Sequence, residues 1–569
     1  MPSLGRSRTS SMPDHLAAEK LRFRVLYRVF LMRVIDLEIL AADGDLTRLI
    51  GQFISIFVTI SFFTIIPILF GAWDIKSMTA RWAVEHFFIE TSMTVAGLIA
   101  ILAWDSSFPD RRDLMVLAPL PVRVRTLFLA KTSALFAAPG LAILSLNIFA
   151  GIGWPLAFVA KGRGFLGLLW AWPAYWITVV LASSFLVFVM LTLQGLAANL
   201  LPRQLFLRLS PILQAGSLCL VLSLYFLEPS FRTPEALTAA HNQRALAWLP
   251  SYWFLGLFNQ INGSLHPALS PLAKRAWIAL ACSAAGAVAS ILLAYLRMLP
   301  KIVEQPDILP ASRKREGLPR FRRSLPNAIT VFSLRTLLRS RQHFMILGFY
   351  LGLGLAIAAG YAEGWVVRHS AAPSQWITAF LFISILAMIL VVTALRVISA
   401  MPATLRANWI IRITQTRPAL AYHSAVRFCW IVLAVLPVLF FLSGAAFAVH
   451  ARSWLAAHLF TMLLLGVLLV EFCLYTFPKI PFTCSYLPGK ANIHFVFWAC
   501  LMVFLVLIHK SAVFESRMLH QPDQERWILL GLALAALAMR VLAQRRAANK
   551  NELLFEEAEE VEIISLKLT

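Results

Sequence analysis

The chain has 569 residues, of which 59% are hydrophobic and only 14% charged. A soluble protein of this length needs far more polar surface, so the composition excludes a soluble globular enzyme and indicates a polytopic membrane protein. The formal net charge of +23 would suit a nucleic-acid binder, but its placement along the chain assigns it to topology and to contact with anionic lipid.

The first fifteen residues are polar and carry no apolar core, so no cleavable signal peptide is expected. Leu16 to Leu40 predicts a helix lying on the membrane. Leu21, Val25, Val29 and Met32 recur at helical spacing, and Lys20, Arg24, Arg28 and Arg33 supply a basic face. An ordinary soluble amphipathic helix is the alternative. Twelve apolar stretches follow, each close to the ~20 residues that a helix needs to cross the hydrocarbon core. They are 50–70, 84–104, 132–157, 168–193, 211–227 and 276–296, then 344–361, 376–398, 428–449, 454–476, 493–513 and 526–543. Backbone polar groups find no water partner at that depth, so helices are the expected form.

The expected fold class is an all-α polytopic membrane protein of about 12 transmembrane helices. These form two six-helix halves, preceded by an N-terminal amphipathic interface helix. The expected domains are a cytoplasmic N-terminus (1–49), a first six-span domain (50–296), a basic cytoplasmic linker (297–343), a second six-span domain (344–543) and an acidic cytoplasmic tail (544–569). With both ends inside, 38 Lys and Arg fall on the cytoplasmic side and 12 outside, with Lys510 within a span. That bias sets orientation and implies a multi-pass protein of the cell (inner) membrane with both termini cytoplasmic. Within the linker, a short second interface helix is expected near Thr330 to Arg341.

The two halves share a layout. Spans one and seven begin near 50 and 344, and the loops after the second span of each half begin near 105 and 399, both 294 residues apart. An internal repeat of parallel topology follows from this spacing, although residue identity between the halves is low. The cysteines (Cys219, Cys282, Cys429, Cys473, Cys484 and Cys500) show neither metal-ligand spacing nor a disulfide framework.

The most specific stretch is the loop Trp104 to Lys131, which mixes charges with apolar residues. Leu114, Leu117 and Leu120 can form the apolar edge of a short helix that ends at Pro119 and Pro121. Such a helix is either a docking surface for a partner protein or an interfacial element that touches only lipid headgroups. The Arg111-Arg112 pair, Asp113, Leu117, Leu120, Pro121, Arg125 and Lys131 together resemble the coupling-helix region of ABC-type exporter permeases of the type-2 class, which have six spans per transmembrane domain. The helix at Leu16 to Leu40 is similar to the amphipathic element that precedes the first span in that family. The resemblance implies that Asp113, Leu117, Leu120, Pro121, Arg125 and Lys131 dock a cytoplasmic ABC ATPase subunit acting as a dimer. It further implies that ATP and Mg are bound on that partner, with no cofactor in this chain and no enzyme activity of its own.

The equivalent loop of the second half, Ser399 to Val426, keeps Arg406, Arg412 and Arg417 but has Trp409, Ile410 and Ile411 in place of the Leu-Pro core. Trp409, Ile410 and Arg412 are a candidate second docking site, either diverged or no longer coupled. Gly489-Lys490 is preceded by Cys484 where a phosphate-binding loop needs glycine. Lys479 to Lys490 reads as a rigid turn, with a substrate gate or headgroup site as the alternative. The aromatic run from Trp248 to Phe254 reads as an interfacial belt or re-entrant helix, with a substrate-recognition patch as the alternative.

Glu90 and Glu471 are candidate intramembrane ionisable groups, whereas Glu85 and Glu363 sit near span ends and are expected to be wet. The partners follow from these readings: an ATPase subunit and membrane lipids, but no nucleic acid. The leading expectation is an exporter permease for an amphipathic or lipid-like substrate. The alternatives are an ion-coupled secondary transporter using Glu90 and Glu471, and a membrane-embedded transferase on a lipid-linked substrate, for which Asp105, Asp110 and Asp113 are the local acidic cluster.

Overall fold

A computed structural model describes residues 12–35, 46–69, 78–107, 120, 122–159, 164–227, 247–293, 296, 324–366, 373–401, 418–448, 454–476, 480–483, 493–518 and 522–550. The elements among them are all helical. Among the described residues, ten helices are long and apolar enough to cross a membrane. The other two expected spans fall on α2 (Leu46–Leu69) and α16 (Ile493–Met518). The protein is therefore an all-α polytopic membrane protein. The chain divides into two compact units, Met1–Val221 with Glu228–Ser312, and Leu222–Leu227 with Arg313–Thr569.

The first unit begins with α1 (Met12–Ile35), which packs on α4 (Val124–Leu146). Two apolar stripes run along α1. Leu26, Phe30 and Val34 are buried, while Leu21, Val25 and Val29 stand more than half exposed. The stripe read from the sequence is thus the outward one, the face a bilayer would cover, and a second stripe offset around the helix holds α1 to the protein.

Next come α2 and α3 (Met78–Leu102). The expected span 132–157 is broken: α4 ends at Leu146, a turn takes Asn147 to Phe149, and α5 covers Ala150–Val159. The Asn147 amide donates to the Ile143 carbonyl and the Ser92 hydroxyl, each at 2.9 Å, and accepts from the Tyr175 hydroxyl at 2.6 Å. The Phe149 N–H goes to Ser61 Oγ at 3.1 Å. The Ser61 hydroxyl thus takes an N–H that a continuous helix would give to a carbonyl one turn back, and the helix is interrupted there.

α6 (Gly164–Leu200) is the central helix of the unit, touching α3, α5 and α9 (Ser270–Leu293). Small residues set its contact with α9: a side chain on Gly195 would meet Ser290, and one on Gly286 would meet Thr192 at 2.8 Å. Close approach through small residues is how membrane helices gain dispersion contacts without a hydrophobic drive.

After α7 (Arg203–Leu227), the aromatic run folds as α8 (Pro250–Ile261). Twelve residues give about 18 Å of helix, too short for a ~30 Å core. Proline at the start of α8 and Gly263 at φ 67° after it bound this short helix. Tyr252, Phe254, Leu255 and Leu257 are buried. A Cβ on Gly256 would lie 2.8 Å from both Ala273 N and Leu269 O, backbone atoms that cannot rotate away. Gly256→Val is expected to lower unfolding stability by ~1–3 kcal/mol, measured by denaturation of the purified protein. Gly216→Ala, whose Cβ meets nothing within 4 Å, should cost nothing.

The second unit opens with α10 (Leu325–Arg339), starting five residues ahead of the expected interface helix and leading through Ser340 into α11 (Arg341–Val366). Ile329, Ser333 and Leu337 form its buried stripe, and it packs on α13 (Ala419–Trp430). α12 (Pro373–Ser399) lies against α11, α15 (Leu455–Thr476) and α16, and α15 lies against α17 (Pro522–Lys550). α13 runs through a π-helical turn (Ile431–Val435) into α14 (Leu436–Ala448). Three pairings are common to both units, although the first and second spans pack closely only in the second. The helix before the first span meets the helix after the loop, the second span meets the fourth, and the fourth meets the last.

Candidate functional site

The first loop leaves α3 through a helical turn, Trp104–Ser107. A helix C-terminus leaves carbonyls without intrahelical partners, and here two glutamines supply them. Gln214 Nε2 donates to the Ile101 carbonyl at 2.7 Å and Gln194 Nε2 to the Trp104 carbonyl at 2.6 Å. The buried Trp104 indole donates to Ser210 Oγ at 3.0 Å. Side chains from α6 and α7 thereby clamp the exit of the loop.

Its return is tied to α1. Arg123 Nη1 lies 3.2 Å from Glu19 Oε1, and the Thr126 hydroxyl donates to the same oxygen at 3.3 Å. The pair is too exposed to stabilise much by itself, yet it orients α1 against the start of α4. Leu120 and Arg125 are exposed, as a docking contact requires. Lys131 is instead buried, its ammonium 5.5 Å from the Phe30 ring centre, so it faces α1. Asp113, Leu117 and Pro121 lie outside the described residues, and so do Trp409, Ile410 and Arg412 of the second loop.

The second loop also has a buried base. The Phe482 N–H donates to the Ser399 carbonyl at 2.9 Å. His343 Nε2 lies 3.1 Å from the Met401 carbonyl, and its Nδ1 meets the Ser340 hydroxyl. Phe482, at φ 66°, packs its ring 5.2 Å from His343. Residues 480–483 of the proline-rich stretch are thus a buried turn against the start of the loop at Ser399; 484–492 lie outside the described residues.

Glu90 is buried on α3, its Oε2 3.8 Å from His86 Nδ1 one turn away. His86 stacks on Tyr252 of α8, with ring centres 3.9 Å apart. Glu85, expected to be wet, is buried and accepts from Asn259 Nδ2 at 3.2 Å. The reason is α8, which folds over the end of α3 and covers it. Glu471 is buried on α15 and held by Arg427 of α13, Nε to Oε1 at 2.5 Å and Nη2 to Oε2 at 3.1 Å. His509 meets the Tyr361 hydroxyl at 2.7 Å and His458 meets Glu515 at 2.7 Å. Glu90 and Glu471 belong to separate clusters, one in each unit.

Sequence reasoning passed over the cluster of Ser61, Ser92, Asn147 and Tyr175, all buried. The available signal was Asn147 in an apolar run with Gly151, Gly153 and Pro155 just after it. Discontinuous membrane helices of this kind line the substrate sites of many transporters. Among the described residues no three His, Cys, Asp or Glu side chains gather as a metal site. No family model, curated protein or solved structure matches the chain.

Proposed function

We propose that the chain is the membrane permease of an ATP-driven ABC-type exporter, with two six-span domains joined in one polypeptide and a separate ATPase dimer below. The observation that carries this reading is the tethering of both ends of the first loop. Gln194, Gln214 and Ser210 hold its exit, and Glu19 holds its return. A push on an exposed Leu120 would move α1, α3, α6 and α7 together, as mechanical coupling requires. The three pairings that the two units share favour duplication. The substrate class that suits such an assembly is amphipathic or lipid-like.

Cross-linking from Leu120→Cys is expected to capture a nucleotide-binding subunit that also co-purifies with the wild-type chain. A specific observation favours ion-coupled transport as the second reading: Glu85, His86 and Glu90 lie buried together along α3. Transport that persists without the ATPase but is lost in Glu90→Gln would replace the first reading with the second. The bidentate grip of Arg427 on Glu471 favours a fixed structural pair over a proton relay at that site.

A further inference from the structure

The second unit holds an open-sided pocket of about 380 Å³ lined by α12, α15, α16 and α17. Its walls are the side chains of residues such as Ile389, Leu465, Leu469, Phe504 and Leu532. An apolar surface of this extent is unfavourable against water and is better covered by an apolar ligand. Water is a poor filler, because it needs two to four polar partners. Hydrocarbon is the filler that the walls accept, and the volume falls within the range of ordinary ligand pockets.

The polar groups of the lining are Thr461, Ser511 and Glu515. Thr461 already donates to the Ala457 carbonyl at 3.1 Å. Glu515 stands three residues from the end of α16, beside the start of α15, so the acid marks one end of the cavity and Leu469 and Phe504 lie deeper. Its hydrogen-bond partner among the described residues is His458 Nδ1, at 2.7 Å. His458 is buried beside Phe380 and Trp454, and its Nε2 has no hydrogen-bond partner among the described residues. The neutral tautomer with its proton on Nδ1 is the one that buries no orphaned N–H. The pair then keeps the negative charge of the carboxylate, on a wall where a cation could meet it. Arg517 is exposed two residues beyond Glu515, at the same end of α16.

We propose that this cavity binds an amino-phospholipid, with a hydrocarbon chain between α12, α15, α16 and α17 and its primary ammonium on Glu515. The inference does not depend on the energy source of transport and holds for either reading above.

The test places the full chain in nanodiscs of equal parts phosphatidylethanolamine, phosphatidylcholine and phosphatidylglycerol, and counts retained lipids by native mass spectrometry. Phosphatidylethanolamine should be retained roughly tenfold over the other two, the factor expected of one charge-assisted hydrogen bond. Glu515→Gln should bring the three lipids close to parity. Leu465→Trp, which fills the cavity, should reduce total retention. Glu515→Gln is nearly isosteric and keeps the test decisive if the bulkier variant does not fold. Parity in the wild type, retention of phosphatidylglycerol instead, or a preference unchanged by Glu515→Gln would each overturn the proposal.

Discussion

Arg427→Met should destabilise the protein by about 3–5 kcal/mol, because it leaves Glu471 as a buried charge without its cation. The pair has the geometry for it: two donor–acceptor contacts at 2.5 and 3.1 Å, with Glu471 only 1% exposed and Arg427 12%. Charges at this depth are tolerated when paired and become costly when a partner is removed. The double variant Arg427→Met/Glu471→Leu removes both charges and should recover most of the loss, since an apolar replacement of a buried ion pair is often neutral or stabilising. Unfolding of the purified variants, by denaturant or heat, gives both numbers. A double variant as damaged as the single one would mean that Glu471 has another essential partner. The same series separates structure from transport. If the double variant folds and still transports, Glu471 is no part of an ion path, and the carrier reading must rest on α3 alone.

The spans were legible because the bilayer imposes a length and a composition that few other environments demand. Even α8 announced itself through the run from Trp248 to Phe254. What stayed hidden is what depends on neighbours far along the chain. Both stripes of α1 are apolar, and hydropathy cannot separate Leu26, Phe30 and Val34, which face protein, from Leu21, Val25 and Val29, which do not. Glu85 sits near a helix end and looks wet until α8, some 170 residues later, is laid across it; its partner Asn259 is 174 positions away. The break between Asn147 and Phe149 likewise depends on Ser61, a residue of another helix, being there to take the Phe149 N–H. Of the first loop, Leu120 and Arg125 are exposed, whereas Lys131 belongs to the contact with α1. The resemblance that implied a docking role for Lys131 does not distinguish it from a cation laid over Phe30.

Trp104→Ala should be the second large loss, ~3–5 kcal/mol, from the cavity left by one of the largest fully buried side chains of the protein. The milder variants carry more information about mechanism. Trp104→Phe keeps most of the volume and gives up the bond to Ser210, so it should cost only about 1 kcal/mol. Gln194→Leu and Gln214→Leu each strand a carbonyl at the end of α3, at ~1–3 kcal/mol apiece. These glutamines sit on α6 and α7, so their loss loosens the loop's hold on those helices without touching Leu120. Under the permease reading, Gln194→Leu should still co-purify with the ATPase and still hydrolyse ATP, while transport per ATP falls. Loss of ATPase binding in Gln194→Leu would place the clamp in the docking surface itself. Unchanged transport would show that force passes into the membrane by another route, and Glu19 with α1 would then be the element to cut.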